Sequence, residues 1–155
     1  MIAYLSGAME FAKGEGASWR EEMTLWLDEK LGHSVIDPVV ENIKLKKDLN
    51  AEDYRSWKIK DRGKYIDYIR HAVDFDLDAV TKKADYIICL WDEAVFKGAG
   101  THGEVTMAYY LGKPIYLINR VDLDDLSGWI EACSTELFDD FELLKSRLVE
   151  IYLHE

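Results

Sequence analysis

The sequence predicts an α/β sandwich with a mainly parallel sheet of four to five strands flanked by helices. Three observations lead there. Short apolar runs of strand type alternate with segments of helical apolar spacing along the chain. Gly32, Pro38 and Gly112-Lys113-Pro114 punctuate the chain between such segments. A length of 155 residues suits one domain with a single core.

The elements follow in order. Ile2 to Leu5 is an apolar run ending in Ser6-Gly7, a buried strand giving way to a loop. From Ser18, the residues Trp19, Met23, Trp26, Leu27 and Leu31 recur at helical spacing. Ser18 and Glu21 form a possible capping box, and Gly32 supplies the stop. A second strand, roughly 33–37, is closed by Pro38. A helix over about 61–82 leads into Ala84 to Trp91, the clearest buried strand of the chain. A loop, a helix over about 101–111, a Gly112-Lys113-Pro114 turn and a strand at 115–119 come next. The tail, 138–153, places Phe141, Leu144, Leu148 and Ile151 on one face of a helix. Alternating strands and helices of this kind make a Rossmann-like or flavodoxin-like sandwich. The whole of 1–155 reads as one such domain, carrying a charged helical insertion at about 44–70.

That insertion differs in composition. Nine of the 19 basic residues lie in it against five acidic ones. It reads either as a solvated mixed-charge helix or as a cationic lid over a small anion. Tyr54, Trp57, Tyr65 and Tyr68 are available to pack it onto the core or a neighbouring subunit.

Composition excludes several classes. The apolar fraction of 48% with two Pro excludes a disordered or collagen-like chain. A formal charge of −11 repels phosphate backbones, so nucleic-acid polymers and anionic membranes are poor partners. Cys89 and Cys133 have no spacing for zinc and read as reduced thiols. Met1 to Leu5 is too short for a signal peptide, and no run approaches a membrane span. A soluble, cytoplasmic protein is expected.

In such sheets ligands bind beyond the carboxyl ends of the strands. There Gly98 to Glu104 reads three ways. It matches GxGxxG, but Asp92 to Lys97 separates it from the strand and too little chain follows for a second mononucleotide half. It is also a capping box with Thr101 as N-cap and Glu104 at N3. The three glycines, which let a ligand approach the backbone beside a helix N-terminus, suit a third reading, with Glu104 as a carboxylate nucleophile. Attack on an anomeric carbon needs a partner acid to protonate the leaving group. Asp74, Asp76, Asp78 and Asp85 are the candidates. The D-x-D-x-D run is no calcium loop, because Ala79 stands where glycine is required.

Taken together these pieces resemble the nucleoside 2-deoxyribosyltransferase family. They are Tyr4-Leu5-Ser6-Gly7, Gly32-His33, Asp76-Leu77 eight residues ahead of Ala84-Asp85-Tyr86-Ile87-Ile88, then Gly100-Thr101-His102-Gly103-Glu104, Ala108 and Gly112-Lys113-Pro114. They run in family order over about 2–119. Related nucleoside-monophosphate N-glycosidases share the scaffold. The resemblance implies that Glu104 is the nucleophile that forms a deoxyribosyl intermediate, that Asp76 assists departure of the base, and that Tyr4 lies near the nucleophile. It implies transfer of the sugar from a nucleoside or nucleotide to another base or to water, without cofactor or metal, in a homo-oligomer. Substrate contacts are expected at Ser6, Gly7, Met9 and Arg20, and at Asp92, Gly98, Gly100, Thr101 and His102.

Two departures matter. Ala8 replaces the family's Pro after the first-loop glycine. Gly98 stands where the transferases often carry an Asp that contacts the base, a role open to Asp92 or Glu93. With Ser6, Lys13, Arg20 and the basic insertion at hand, the balance tips toward a phosphate-bearing substrate. Tyr4, Phe11 or Trp91 either sandwich the base or pack in the core. Two rival readings are a phosphoribohydrolase-like enzyme, whose motif lacks its Pro-Gly-Gly opening here, and a nucleotide-sensing module without turnover. Zinc deaminase chemistry is excluded, because no P-C-x-x-C follows His102-x-Glu104.

Overall fold

A computed structural model describes residues 1–153. Five strands, β1 (Ile2–Gly7), β2 (Ser34–Ile36), β3 (Tyr86–Trp91), β4 (Ile115–Asn119) and β5 (Glu136–Phe138), pair in parallel in the order β2-β1-β3-β4-β5. The order reverses between β1 and β3, which puts the crevice of a doubly wound sheet at the carboxyl ends of those two strands. Seven helices surround the sheet: α1 (Ala17–Leu31), α2 (Pro38–Asp48), α3 (Tyr54–Lys60), α4 (Arg62–Asp78), α5 (Gly100–Tyr110), α6 (Gly128–Cys133) and α7 (Phe141–Leu153).

The strand period of two divides the core into two layers. Ala3 and Leu5 face α1 and α7 in one cluster with Met23, Leu27, Ile88 and Leu148. Tyr4 faces the other way, with Val80, Ile87, Cys89, Val105 and Leu117 beneath α4, α5 and α6. Tyr4 and Ser6 therefore share the α5 face, and both are fully buried. On α5 the buried positions Thr101, Glu104, Val105 and Ala108 form one stripe at helical spacing, which turns Glu104 toward the sheet.

Several expected boundaries moved. Helix α1 begins at Ala17 after Gly16, whose φ of 72° makes it a left-handed entry, so Ser18 and Glu21 form no capping box. Helix α5 starts at Gly100 with Ala99 at the N-cap position, and no side chain caps it. Thr101 is thus inside the helix and Glu104 lies in its second turn, which removes the predicted capping box there. At the other end of α1, Gly32 (φ 65°) donates to Asp28 O and His33 N to Leu27 O, the glycine-terminated stop that was expected. Strand β5 and helix α6 were not foreseen, because three and six residues are too short to show a period.

The basic segment comprises the end of α2, all of α3 and the first half of α4. Its aromatics pack on one another. Tyr54 and Tyr68 have ring centroids 4.3 Å apart, and Ala51 completes a small buried cluster beside Leu45 and Ile69. The Tyr68 hydroxyl donates to Asn42 Oδ1 at 2.5 Å, tying α4 to α2. This subassembly stands beside the crevice and forms one wall of a cavity.

Candidate active site

A cavity of about 240 Å³ lies between the loop after β1, helices α2 to α4, and the start of α5. Its floor is a carboxylate. Glu104 accepts a hydrogen bond from Tyr4 Oη on Oε1 at 2.9 Å and one from Ser6 Oγ on Oε2. Both donors come from β1, two residues apart on the same face, so the strand period itself presents two hydroxyls to the two oxygens of one carboxylate. Neither oxygen is spent on the helix's own amides. Burial pushes the Glu104 carboxyl up, while Ser6, Tyr4 and the Arg20 charge pull it back down.

Asp76, in the last turn of α4, lines the same cavity. Its carboxyl is pushed up to about 7, first by burial and then by the negative charge of Glu104, with Tyr4 and Arg20 opposing. The two acids are electrostatically coupled, and the two hydroxyl donors on Glu104 favour its charged form over that of Asp76, which is the carboxyl of the pair that holds its proton up to about 7. Tyr4, buried and facing both carboxyls, has its own ionisation pushed far upward and acts only as a donor.

Of the other predicted contacts, Gly7, Met9, Gly98, Gly100 and Thr101 line the cavity, as does Phe11. Four others, Ser6, Arg20, Asp92 and His102, are not among the residues that line it. Ser6 reaches the cavity floor only through Glu104. Arg20 is fully buried and donates through Nε to Leu5 O, through Nη1 to Glu15 O and Gly16 O, and through Nη2 to Gly7 O. With Asp37 3.8 Å away, it holds the β1 loop in shape, and a Cβ at Gly16 would come within 2.5 Å of Nη1. Asp92 Oδ1 caps the turn at Glu93–Lys97 through Ala94 N at 3.0 Å and faces a separate depression beside Trp19 and Arg120. His102 packs edge-on against Trp91 with centroids 4.7 Å apart, outside the cavity. Trp91 is fully buried, so it packs in the core and is no base-stacking platform.

Sequence reasoning missed Glu10, Glu41, Asn42 and Arg55, which also line the cavity. Arg55 belongs to the basic segment singled out as a lid, and that composition was the available signal. Arg55 ion-pairs with Glu15 at 2.6 Å. Among the described residues, no group of three or more His, Cys, Asp or Glu is placed to hold a metal ion.

No protein-family model matches the chain, and no curated protein matches it in sequence. Among solved structures it is similar to the CMP N-glycosidase BcmB of Clostridium botulinum, at 18% identity and a TM-score of 0.55, over 96% of this chain and 98% of that one. The architecture is therefore shared over nearly the whole of both chains, and it is the fold that the resemblance to nucleoside 2-deoxyribosyltransferases and related N-glycosidases leads one to expect.

Proposed function

We propose that this protein cleaves the N-glycosidic bond of 2′-deoxyribonucleosides or their 5′-monophosphates by double displacement. The observation that carries the reading is a buried carboxylate whose two oxygens are held by Tyr4 and Ser6, with a second, proton-retaining carboxyl in the same cavity. The fold shared with a CMP N-glycosidase supports it.

In the first step a Glu104 oxygen attacks C1′ of the pentose, and the bond from C1′ to the base nitrogen breaks. Its electron pair leaves with the base, which takes the Asp76 proton. The product is a glycosyl ester of Glu104, reached through an oxocarbenium-like state that the cavity's negative potential stabilises. In the second step the Asp76 carboxylate takes a proton from water or from an incoming base. That nucleophile attacks C1′, and Glu104 departs as carboxylate. Tyr4 and Ser6 stay hydrogen-bonded to the leaving and returning oxygens, so they position the nucleophile throughout.

The test is chromatography of the purified protein with 2′-deoxynucleosides and their monophosphates, with and without a second base. Free base alone identifies a hydrolase and a new nucleoside a transferase. Saturable binding with no product would replace this reading by a sensing module.

A further inference from the structure

Resting on the N-glycosidase reading above, we propose that the cavity selects substrates without a 5′-phosphate, neutral nucleosides in place of nucleotides, and that Glu10 at its rim enforces the choice. The argument is one of charge. Four carboxyl side chains line the cavity, Glu10 and Glu104 together with Glu41, which pairs with Lys44, and Asp76, which holds its proton up to about 7, against a single lining cation among the described residues, Arg55. That guanidinium is already bonded to Glu15 at 2.6 Å. Glu10 lies close enough to the adjoining Tyr54 hydroxyl to help raise its ionisation, so two carboxylates crowd the one positive group.

The remaining sources of positive potential do not redress this. Arg20 is buried, with four of its five N–H groups on backbone carbonyls and Asp37 3.8 Å away to offset its charge, and it does not line the cavity. Lys44 is paired outward with Glu41 at 2.8 Å and is not among the lining residues. The N-terminus of α5 offers about half a positive charge, against a full negative charge on Glu104 and another on Glu10. A phosphate dianion would also enter the field of a chain carrying −11. A neutral hydroxyl meets no such penalty. Asn42, whose Oδ1 accepts from Tyr68, has its amide N–H groups available to a sugar hydroxyl. The preference drawn from Ser6, Lys13, Arg20 and the basic segment is thereby reversed. Those groups exist, but the fold has directed them at carbonyls and carboxylates.

The experiment is equilibrium binding of the four common 2′-deoxynucleosides and their 5′-monophosphates to the native protein by calorimetry at low and moderate salt, with base release measured on the same set. The nucleoside of at least one pair should bind about tenfold more tightly than its monophosphate at low salt. The gap should shrink as salt rises, and Glu10→Gln should narrow it further, acting mainly on the monophosphate. Equal or tighter binding of the monophosphates, with base released from them, would overturn the charge argument and leave the glycosidase reading intact. Failure of both series to bind and to release base would overturn both. An unchanged gap in Glu10→Gln would overturn the assignment to Glu10.

Discussion

Tyr4 donates its hydroxyl to Glu104 Oε1 across a hundred residues of chain, at 2.9 Å, while Ser6 takes the other oxygen. A carboxylate fixed at both oxygens has little freedom to rotate, and its two hydroxyl donors oppose the upward push of burial. The proposed chemistry rests on that arrangement.

Replacing Glu104 with Gln should reduce base release at least about a thousandfold, because the proposed nucleophile is gone while the hydroxyls of Tyr4 and Ser6 keep a partner. Thermal melting should stay at or above that of the native protein, since a desolvated charge has been removed. Mass spectrometry of native protein quenched during turnover should detect the chain carrying one pentosyl group, and the Gln variant should lack it. Undiminished turnover in the variant would remove Glu104 from the role.

In the proposed mechanism Asp76 must be protonated to release the base, and its carboxyl is pushed up to about 7. The active form therefore predominates below that pH, and kcat/KM should decline as pH rises through about 7. Asp76→Asn should abolish this limb and slow turnover most for bases that leave poorly. A rate loss independent of the leaving base would argue against the acid role.

The same shift predicts a stability effect of definite sign. The folded protein holds the Asp76 proton more tightly than the unfolded chain, for which the usual value is 3.8. Its contribution is complete below about 4 and is lost as pH rises through about 7. Asn cannot ionise, so Asp76→Asn should melt roughly 3–8 °C above the native protein at pH 8, with the difference closing toward pH 4. Coincident melting curves at pH 8 would refute the burial of that charge.

Ser6→Ala removes one donor from Glu104 and should raise the carboxyl still further. The acidic limb of the pH profile should move to higher pH, with kcat falling about tenfold and KM for the nucleoside nearly constant. A change confined to KM would mean that Ser6 touches the substrate, as first expected from its place in the β1 loop.

Arg20→Met should destabilise the fold by about 3–5 kcal/mol in chemical denaturation, because Asp37 and four carbonyls lose their partner at a buried position. Arg20→Lys should recover only part of this, since an ammonium cannot span the carbonyls of Leu5, Gly7, Glu15 and Gly16 together.

Glu104 was legible as a candidate because it follows glycines at a helix start, whereas Asp76 was one of four candidate acids and was singled out only by the family resemblance. Arg20 was legible as a cation but not as a structural one, because its acceptors are backbone carbonyls, which every residue carries. Asp92 and His102 looked like ligand groups and instead cap a turn and pack on Trp91.

By itself the sequence determined the alternation of strands and helices, the burial of the first strand, and a glycine-flanked carboxylate at a helix start. Those follow from local periods and residue chemistry, which act within a few residues. Which helix meets which strand face, and hence which hydroxyl holds which oxygen, was decided by the parallel sheet order, as was the pairing of Arg55 with Glu15 at the cavity wall. Charge pairing and desolvation depend on distances between segments far apart in the chain, and only the packed structure sets those distances.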